Sequence, residues 1–129
     1  MKIKIGKYPN YRFYHNWLYN WFGYSPKQRT SVKIHNYDTW SMDHTLAPII
    51  LPMLVQLKLT QQGHPADLTE QEWDDILDEM IWAFEQKCRG DWMEDYDYNK
   101  WDREGAKAHQ ERMTNGFRLF GTYYESLWD

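Results

Sequence analysis

The stretch TEQEWDDILDEMIWAFEQKCRG, residues 69–90, carries the signals for the start, the buried face and the end of a helix. Thr69 followed by Glu72 forms a capping box, in which each side chain accepts a hydrogen bond from the other residue's backbone N–H. Gly90 is a typical helix stop because glycine adopts the left-handed conformation without strain. An apolar stripe with helical spacing lies between them: Trp73, Ile76, Leu77, Met80, Ile81, Phe84 and Cys88. The sequence therefore predicts one amphipathic helix with an acidic outer face.

A second helix precedes this one in the chain. Either Asp38 or Ser41 suits its N-cap. Its apolar stripe comprises Leu46, Ile49, Ile50, Met53, Leu54 and Leu57. Pro48 and Pro52 lie within it, and each removes a backbone donor and bends the helix.

A third helix is predicted from about Asp102 to Ser126. Its apolar face comprises Ala106, His109, Met113, Phe117, Phe120 and Tyr124. Gly116 and Gly121 each weaken a helix by about 1 kcal/mol relative to alanine. Each glycine therefore predicts the close approach of another helix or of a ligand.

The first third of the chain combines two short strands with a helix. KIKIGK (residues 2–7) and SVKIH (31–35) alternate apolar and polar residues, and the two strands could pair as a ribbon. Between them, large apolar residues at positions 14, 17, 18, 21 and 22 predict a helix that ends at Gly23 and Ser25–Pro26. We therefore predict a single domain over residues 1–129, mainly α with a small N-terminal β ribbon (α+β).

Composition narrows the class of protein. Eight Trp, ten Tyr and five Phe make 18% of the chain, more rings than one small core can bury, so the protein is predicted not to be a monomer. The net charge of −4 argues against a surface that coats long nucleic acids. No apolar run reaches the roughly 18 residues of a membrane span. Cys88 is the only cysteine, so no internal disulfide forms. These features predict a soluble cytoplasmic protein.

Few residues suggest catalysis. Asp43 and His44 at the start of the second helix could bind a metal ion or act as an acid and a base. Adjacent residues diverge by roughly 100° on a helix, so a metal would need a third ligand such as Asp78 or Glu79. The histidines lack zinc-site spacing, and no nucleophile elbow or phosphate-binding glycine loop occurs. We predict no catalytic residues, metal or cofactor, and keep a metal-assisted hydrolase or nuclease as the alternative.

The last helix is more suggestive of a binding site. Arg112, Asn115 and Arg118 follow one ridge, and Tyr123 comes shortly after. Arginine binds phosphate through its fork of donors, and a ring can stack on a base. The alternative is a basic flank that balances the acidic helix, with Asp74 and Asp78 either a solvated face or partners for Arg112 and Arg118.

Three segments carry a family resemblance: VKIHNYDTWSMDHTLAPIILPMLVQLK, WDDILDEMIWAFE and ERMTNGFRLFGTYYESLWD. Together they resemble a family of small proteins encoded by tailed, often marine, bacteriophages. The resemblance covers roughly residues 31–129, whereas the N-terminal third diverges from the family. It extends to the phage anti-CBASS sponges, which bind cyclic dinucleotide immune signals without cleaving them.

The resemblance implies immune evasion in the host cytoplasm by a homo-oligomer such as a tetramer. It implies a cyclic dinucleotide as ligand, with no long nucleic acid and no membrane as partner. The ligand-binding residues would be Trp40, Asp43, His44, Arg112, Asn115, Arg118 and Tyr123. Trp40 would stack on a base, Asp43 would contact a base edge, and the arginines would neutralise the phosphates. A phage protein that inhibits or structurally assists another protein is the further alternative.

Overall fold

A computed structural model describes residues 1–7, 13–23, 27–96 and 103–128. It contains two compact units, Met1–Trp40 and Ser41–Asp129. The predicted class, mainly α with a small N-terminal β ribbon, is confirmed. That the chain forms a single domain stays a prediction. None of the described helices is both long and apolar enough to cross a membrane.

The unit Met1–Trp40 contains the predicted ribbon. Strands β1 (Lys2–Ile5) and β2 (Thr30–Lys33) pair antiparallel, with Lys2 opposite Lys33 and Ile3 opposite Val32. Helix α1 (Phe13–Phe22) lies between them in the sequence and ends before Gly23, whose φ of 66° suits glycine. The predicted stop at Ser25–Pro26 lies outside the described residues.

The described side chains of this unit include no buried residue. Aliphatic residues of the ribbon and rings of α1 are exposed: Ile3, Ile5, Val32, Ile34, Trp17, Tyr19, Trp21 and Phe22. Rings of α1 contact one another, with centroids 6.0 Å apart for Trp17 and Trp21. Backbone pairing and ring contacts therefore hold this unit without a described core.

The unit Ser41–Asp129 consists of three helices that run antiparallel to their neighbours in the chain. They are α2 (Met42–Thr60), α3 (Glu70–Arg89) and α4 (Arg103–Thr122). The Thr69 capping box and the left-handed Gly90, both predicted, bound α3. Short 3₁₀ turns follow α3 and α4 at Trp92–Asp95 and Tyr124–Ser126. The predicted helix start at Asp102 lies outside the described residues.

The core lies where α3 packs against both α2 and α4. Its buried residues are Ala47, Leu54, Trp73, Leu77, Met80, Ala83, Phe84 and Met113. Phe84 meets Phe117 and Phe120 edge to face, at centroid distances of 5.1 and 5.2 Å. Helix α3 is therefore the central element, which matches the strength of its sequence signals.

Three residues of the predicted apolar helix faces are exposed, although those faces were expected to be buried. Met53 is 63% exposed because α2 turns Ala47 and Leu54 toward α3, and Met53 lies about 100° from Leu54. Cys88 lies in the last turn of α3, one turn beyond Phe84. Tyr124 follows the end of α4, so helical spacing no longer sets its direction.

Gly116 and Gly121, two of the three glycines of α4, differ in their surroundings. A Cβ on Gly116 would overlap the Cβ of Ala83 and lie 2.8 Å from the backbone oxygen of Glu79. The predicted close approach of another helix is confirmed there, and the helix is α3. A Cβ on Gly121 would have no described atom within 4 Å. No described helix approaches Gly121 closely, and the approach of a ligand there stays a prediction.

Candidate functional site

The turn Asn36–Thr39 leads to Trp40 and is braced by Asp38. The Asp38 carboxylate accepts a hydrogen bond from the His35 backbone N–H at 2.8 Å and pairs with the N-terminal amine at 3.1 Å. These contacts, the backbone bond foremost, lower the pKa of Asp38 below its usual value. The Trp40 ring is 83% exposed. The structure therefore presents Trp40 on the surface, as base stacking requires.

Asp43 and His44 lie in the first turn of α2. The Asp43 carboxylate pairs with Lys87 near the end of α3. This ion pair, and secondly a hydrogen bond from the His44 backbone N–H, lower the pKa of Asp43. His44 is exposed. Asp43 thus links two helices and still has much of its carboxylate in solvent.

The carboxylates suggested for a metal site are in separate ion pairs. Asp78 pairs with Lys58, Glu79 with Arg112 and Asp43 with Lys87. The described residues contain no group of three or more His, Cys, Asp or Glu that could hold a metal ion. The structure therefore does not bring together the ligands that the hydrolase alternative needs.

Arg112 is held against α3. Its Nε and Nη2 donate to the two Glu79 carboxylate oxygens at 3.1 and 2.8 Å, and its guanidinium lies 3.9 Å from the centre of the Trp82 ring. Glu79 raises the pKa of Arg112 above its usual value. Of the two alternatives for Asp74 and Asp78, pairing with Arg112 or Arg118 is wrong, since Asp74 accepts a hydrogen bond from Gln61 and Asp78 pairs with Lys58.

Asn115 and Arg118 are brought together on the exposed side of α4. The Asn115 Oδ1 accepts from Nε of Arg118 at 3.2 Å and from Nη2 at 2.7 Å. Arg118 has no carboxylate partner among the described residues. Described ion pairs occupy these other cations of the unit: Lys58, Lys87, Arg89, Lys107 and Arg112. Arg118 is thus oriented by a neutral amide and keeps its charge unopposed.

Tyr123 lies at the edge of the core. It is half-buried, and its ring meets that of Trp73 edge to face at a centroid distance of 5.6 Å. This contact joins the end of α4 to the first turn of α3. The neighbouring rings of Tyr124 and Trp128 are exposed and therefore better placed to meet a ligand.

His109 is the centre of a cluster that the sequence analysis missed. Trp92 stacks on its ring at 4.6 Å, and Trp82 lies 4.9 Å away. Its Nδ1 hydrogen-bonds the Tyr96 hydroxyl at 2.7 Å and its Nε2 the Gln86 Oε1 at 3.1 Å. The available signal in the sequence was the pair of rings, Trp92 and Tyr96, four residues apart just after the helix stop at Gly90.

The environment of His109 favours the neutral ring. Desolvation is the main cause that lowers its pKa below the usual 6.5, and the charges of Arg89 and Arg112 add to it while Asp95 opposes it. Arg89 holds the turn by bonding both Asp95 oxygens, at 2.8 and 2.6 Å. Both ring nitrogens of His109 are engaged, so the cluster acts as a clamp between α3, α4 and the turn.

Comparisons of the chain with protein-family models, curated proteins and solved structures found no match. The geometry alone therefore ranks the candidate residues. Asn115 with Arg118 forms an exposed cationic pair, and Trp40 presents an exposed ring. Asp43, Arg112 and Tyr123 are bound to other side chains of the fold.

Proposed function

We propose that the protein binds a cyclic dinucleotide and sequesters it intact, as a homo-oligomer in the cytoplasm of a phage-infected host. The observation that carries this proposal is the Asn115–Arg118 pair, a fixed guanidinium with no described carboxylate partner. A phosphodiester is an anion whose oxygens match the donor fork of arginine. An exposed, unopposed and oriented arginine is suited to that anion.

Exposed rings support a flat ligand with two bases. Trp40 and Tyr37 are exposed in the first unit, and Tyr124 and Trp128 in the second. A base that stacks on a ring contributes about 1–3 kcal/mol to binding. These exposed rings therefore offer surfaces on which bases stack. A second protomer would enclose the ligand between the two copies.

The proposal assigns unequal roles to the candidate residues. Arg118 and Asn115 hold a phosphate, Trp40 stacks on a base, and Asp43 accepts a hydrogen bond from a base edge. Arg112 contributes less, because the Glu79 carboxylate already neutralises its charge, whereas the Asn115 amide beside Arg118 is neutral. His44 and Tyr123 complete the predicted set, as an exposed imidazole and a ring at the edge of the core.

Calorimetry with a panel of cyclic dinucleotides tests the proposal. We expect at least one to bind the purified protein and to be recovered intact by chromatography after heating. Arg118→Ala should weaken binding roughly tenfold to a hundredfold, since a charge-assisted contact contributes about 1.5–3 kcal/mol. Lys107→Ala is the matched control, because it removes one exposed positive charge from the same helix.

Three results would contradict the proposal: no dinucleotide binds, Arg118→Ala binds like the parent, or a cleaved nucleotide is recovered. The last of these would favour the hydrolase alternative. Trp40→Ala provides an independent check, with an expected loss of about 1–3 kcal/mol if the ring stacks on a base.

A further inference from the structure

Charge is divided unevenly along the chain. Residues 1–40 contain seven Lys and Arg against one acidic residue, whereas residues 41–129 contain eight against eighteen. The modest net charge of −4 therefore hides a basic first unit and a strongly acidic second one. Such asymmetry predicts that the basic part meets an anionic partner.

The ribbon concentrates this positive charge on one face. Alternation along a strand places Lys2, Lys4 and Lys33 on one side and Ile3, Ile5 and Val32 on the other. Lys2 lies directly opposite Lys33, and like charges in that position destabilise a strand pair. A facing anionic surface would relieve this repulsion.

The basic face has no acidic partner in its own unit. Asp38, the only acidic residue there, is taken by the N-terminal amine and the His35 backbone. The described part of the chain shows no ion pair at Lys2, Lys4 or Lys33, and all three are exposed.

A matching acidic face lies on α3. At about 100° per residue, one outer side of this helix carries Glu70, Asp74, Asp78 and Glu85, with Asp75 beside them. Lys58 pairs with Asp78, but Glu70 and Glu85 enter no ion pair with a described cation and are exposed. This face therefore keeps a surplus of negative charge.

We infer that the basic face of the β1–β2 ribbon docks onto the acidic face of α3 in a second copy of this chain. The inference rests on the homo-oligomer of the proposed function and supplies its contact surface. Such a contact joins two different surfaces, so it builds a reciprocal dimer, a closed ring or an open filament.

The charge of the chain favours a second copy over a long nucleic acid as the partner. The net charge is −4 and residues 41–129 contain eight Lys and Arg against eighteen acidic residues, so the chain as a whole repels a phosphate backbone. The same acidic residues in a second copy attract the lysines of the ribbon. Each copy of the chain carries both the basic face and the acidic face, so the two faces are present at equal concentration.

Charge reversal with complementation tests the contact by sedimentation or light scattering without ligand. Lys2→Glu with Lys33→Glu should weaken self-association at least about tenfold, since like-charge contacts cost several kcal/mol. Glu70→Lys with Asp74→Lys should weaken it likewise, because these carboxylates lie one helical turn apart, about 6 Å along the axis, and so suit the roughly 5 Å between Lys2 and Lys33. A mixture of the two double variants should associate again through the reversed pair. Lys107→Glu, a charge reversal outside both faces, should leave the mass unchanged.

Salt provides the second measurement. Association should weaken as salt rises from 0.1 to 1 M, because the screening length falls from about 10 to about 3 Å. A monomeric parent protein, or double variants that associate like the parent, would overturn the inference. So would a mixture that fails to associate when circular dichroism shows both variants folded.

Binding of a labelled single-stranded oligonucleotide tests whether the basic face binds a nucleic acid instead of a second copy. Tight binding that depends on Lys2 and Lys33, by a protein that does not self-associate, would overturn the inference in favour of a nucleic acid. Calorimetry with cyclic dinucleotides is independent of both measurements. Lost ligand binding with intact charge-dependent association would contradict the proposed function alone.

Discussion

The two units of this chain differ in how many of their described side chains are buried. In Ser41–Asp129, three helices bury Leu77, Met80 and Trp73 between them. In Met1–Trp40, the described side chains are all at least partly exposed, although strands and a helix have formed. The described part of the first unit therefore shows regular backbone structure without buried side chains, and a two-stranded ribbon alone is marginally stable in water.

This difference predicts which unit supplies folding stability and which one binds partners. Apolar burial contributes about 25 cal/mol per Å² removed from water, so the helical unit has a source of stability that the described part of the ribbon unit lacks. The exposed rings and lysines of the first unit are instead available to partners. We expect mutations in the second unit to change folding and those in the first to change binding.

The largest effect should come from the centre of the helical core. Leu77 is 0% exposed, so Leu77→Ala should lower the free energy of unfolding by about 2–5 kcal/mol. Ile5→Ala in the ribbon, where the residue is 61% exposed, should change it by no more than about 0.5 kcal/mol. Urea denaturation of both variants measures the contrast. A larger loss from Ile5→Ala would show that the first unit shares a core with a partner.

Alanine substitutions of Gly116 and Gly121, two of the three glycines of α4, should change stability in opposite directions. Gly116→Ala should destabilise the fold by about 1–3 kcal/mol, because its Cβ would overlap Ala83 and crowd the Glu79 carbonyl. Gly121→Ala should stabilise it by up to about 1 kcal/mol, since the helix gains propensity without a clash. Thermal melts of both variants are the measurement. Equal shifts in one direction would contradict the packing of α3 against α4.

Substitutions of Arg112 and Arg118, two of the three arginines of α4, should separate effects on folding stability from effects on ligand binding. Arg112→Ala should cost about 1 kcal/mol of folding stability, because the residue leaves an exposed pair with Glu79 and the face of Trp82. Arg118→Ala should stay within about 0.5 kcal/mol of the parent. Denaturation curves measure the free energy of unfolding of each variant, and ligand titrations measure its binding affinity. If Arg118→Ala unfolds more easily than Arg112→Ala, the assigned roles are reversed.

The smallest effect should be a loss of stability in mild acid. The fold lowers the His109 pKa, so protons bind the unfolded chain more tightly. The stability that depends on neutral His109 is full above about 6.5 and falls as pH drops through that value toward the lowered pKa. His109 signals in NMR titrations should move at a pH below 6.5.

Denaturation at several pH values checks the same clamp. His109→Gln should flatten the acid-side loss, whereas His64→Gln, at an exposed histidine, should leave it in place. A steep loss that survives His109→Gln would place the titrating group elsewhere.

Local signals in the sequence were sufficient for most elements. The capping box at Thr69, the stop at Gly90 and the alternating strands each involve residues within a few positions of one another. The core stripe of α3 was predicted correctly except at Cys88, where the helix ends. The candidate site was harder, because only the Asn115–Arg118 contact is local to one helix.

The sequence by itself thus determined the helices, the ribbon and the exposed ridge on α4, since period and capping depend on neighbouring residues. Only the tertiary structure decided that Glu79 rather than Asp74 or Asp78 meets Arg112. It also decided that α3 approaches Gly116 and not Gly121, and that Trp92 and Tyr96 enclose His109. These contacts depend on how each helix is rotated about its axis and where two helices cross. Those quantities are set by the packing of the whole core.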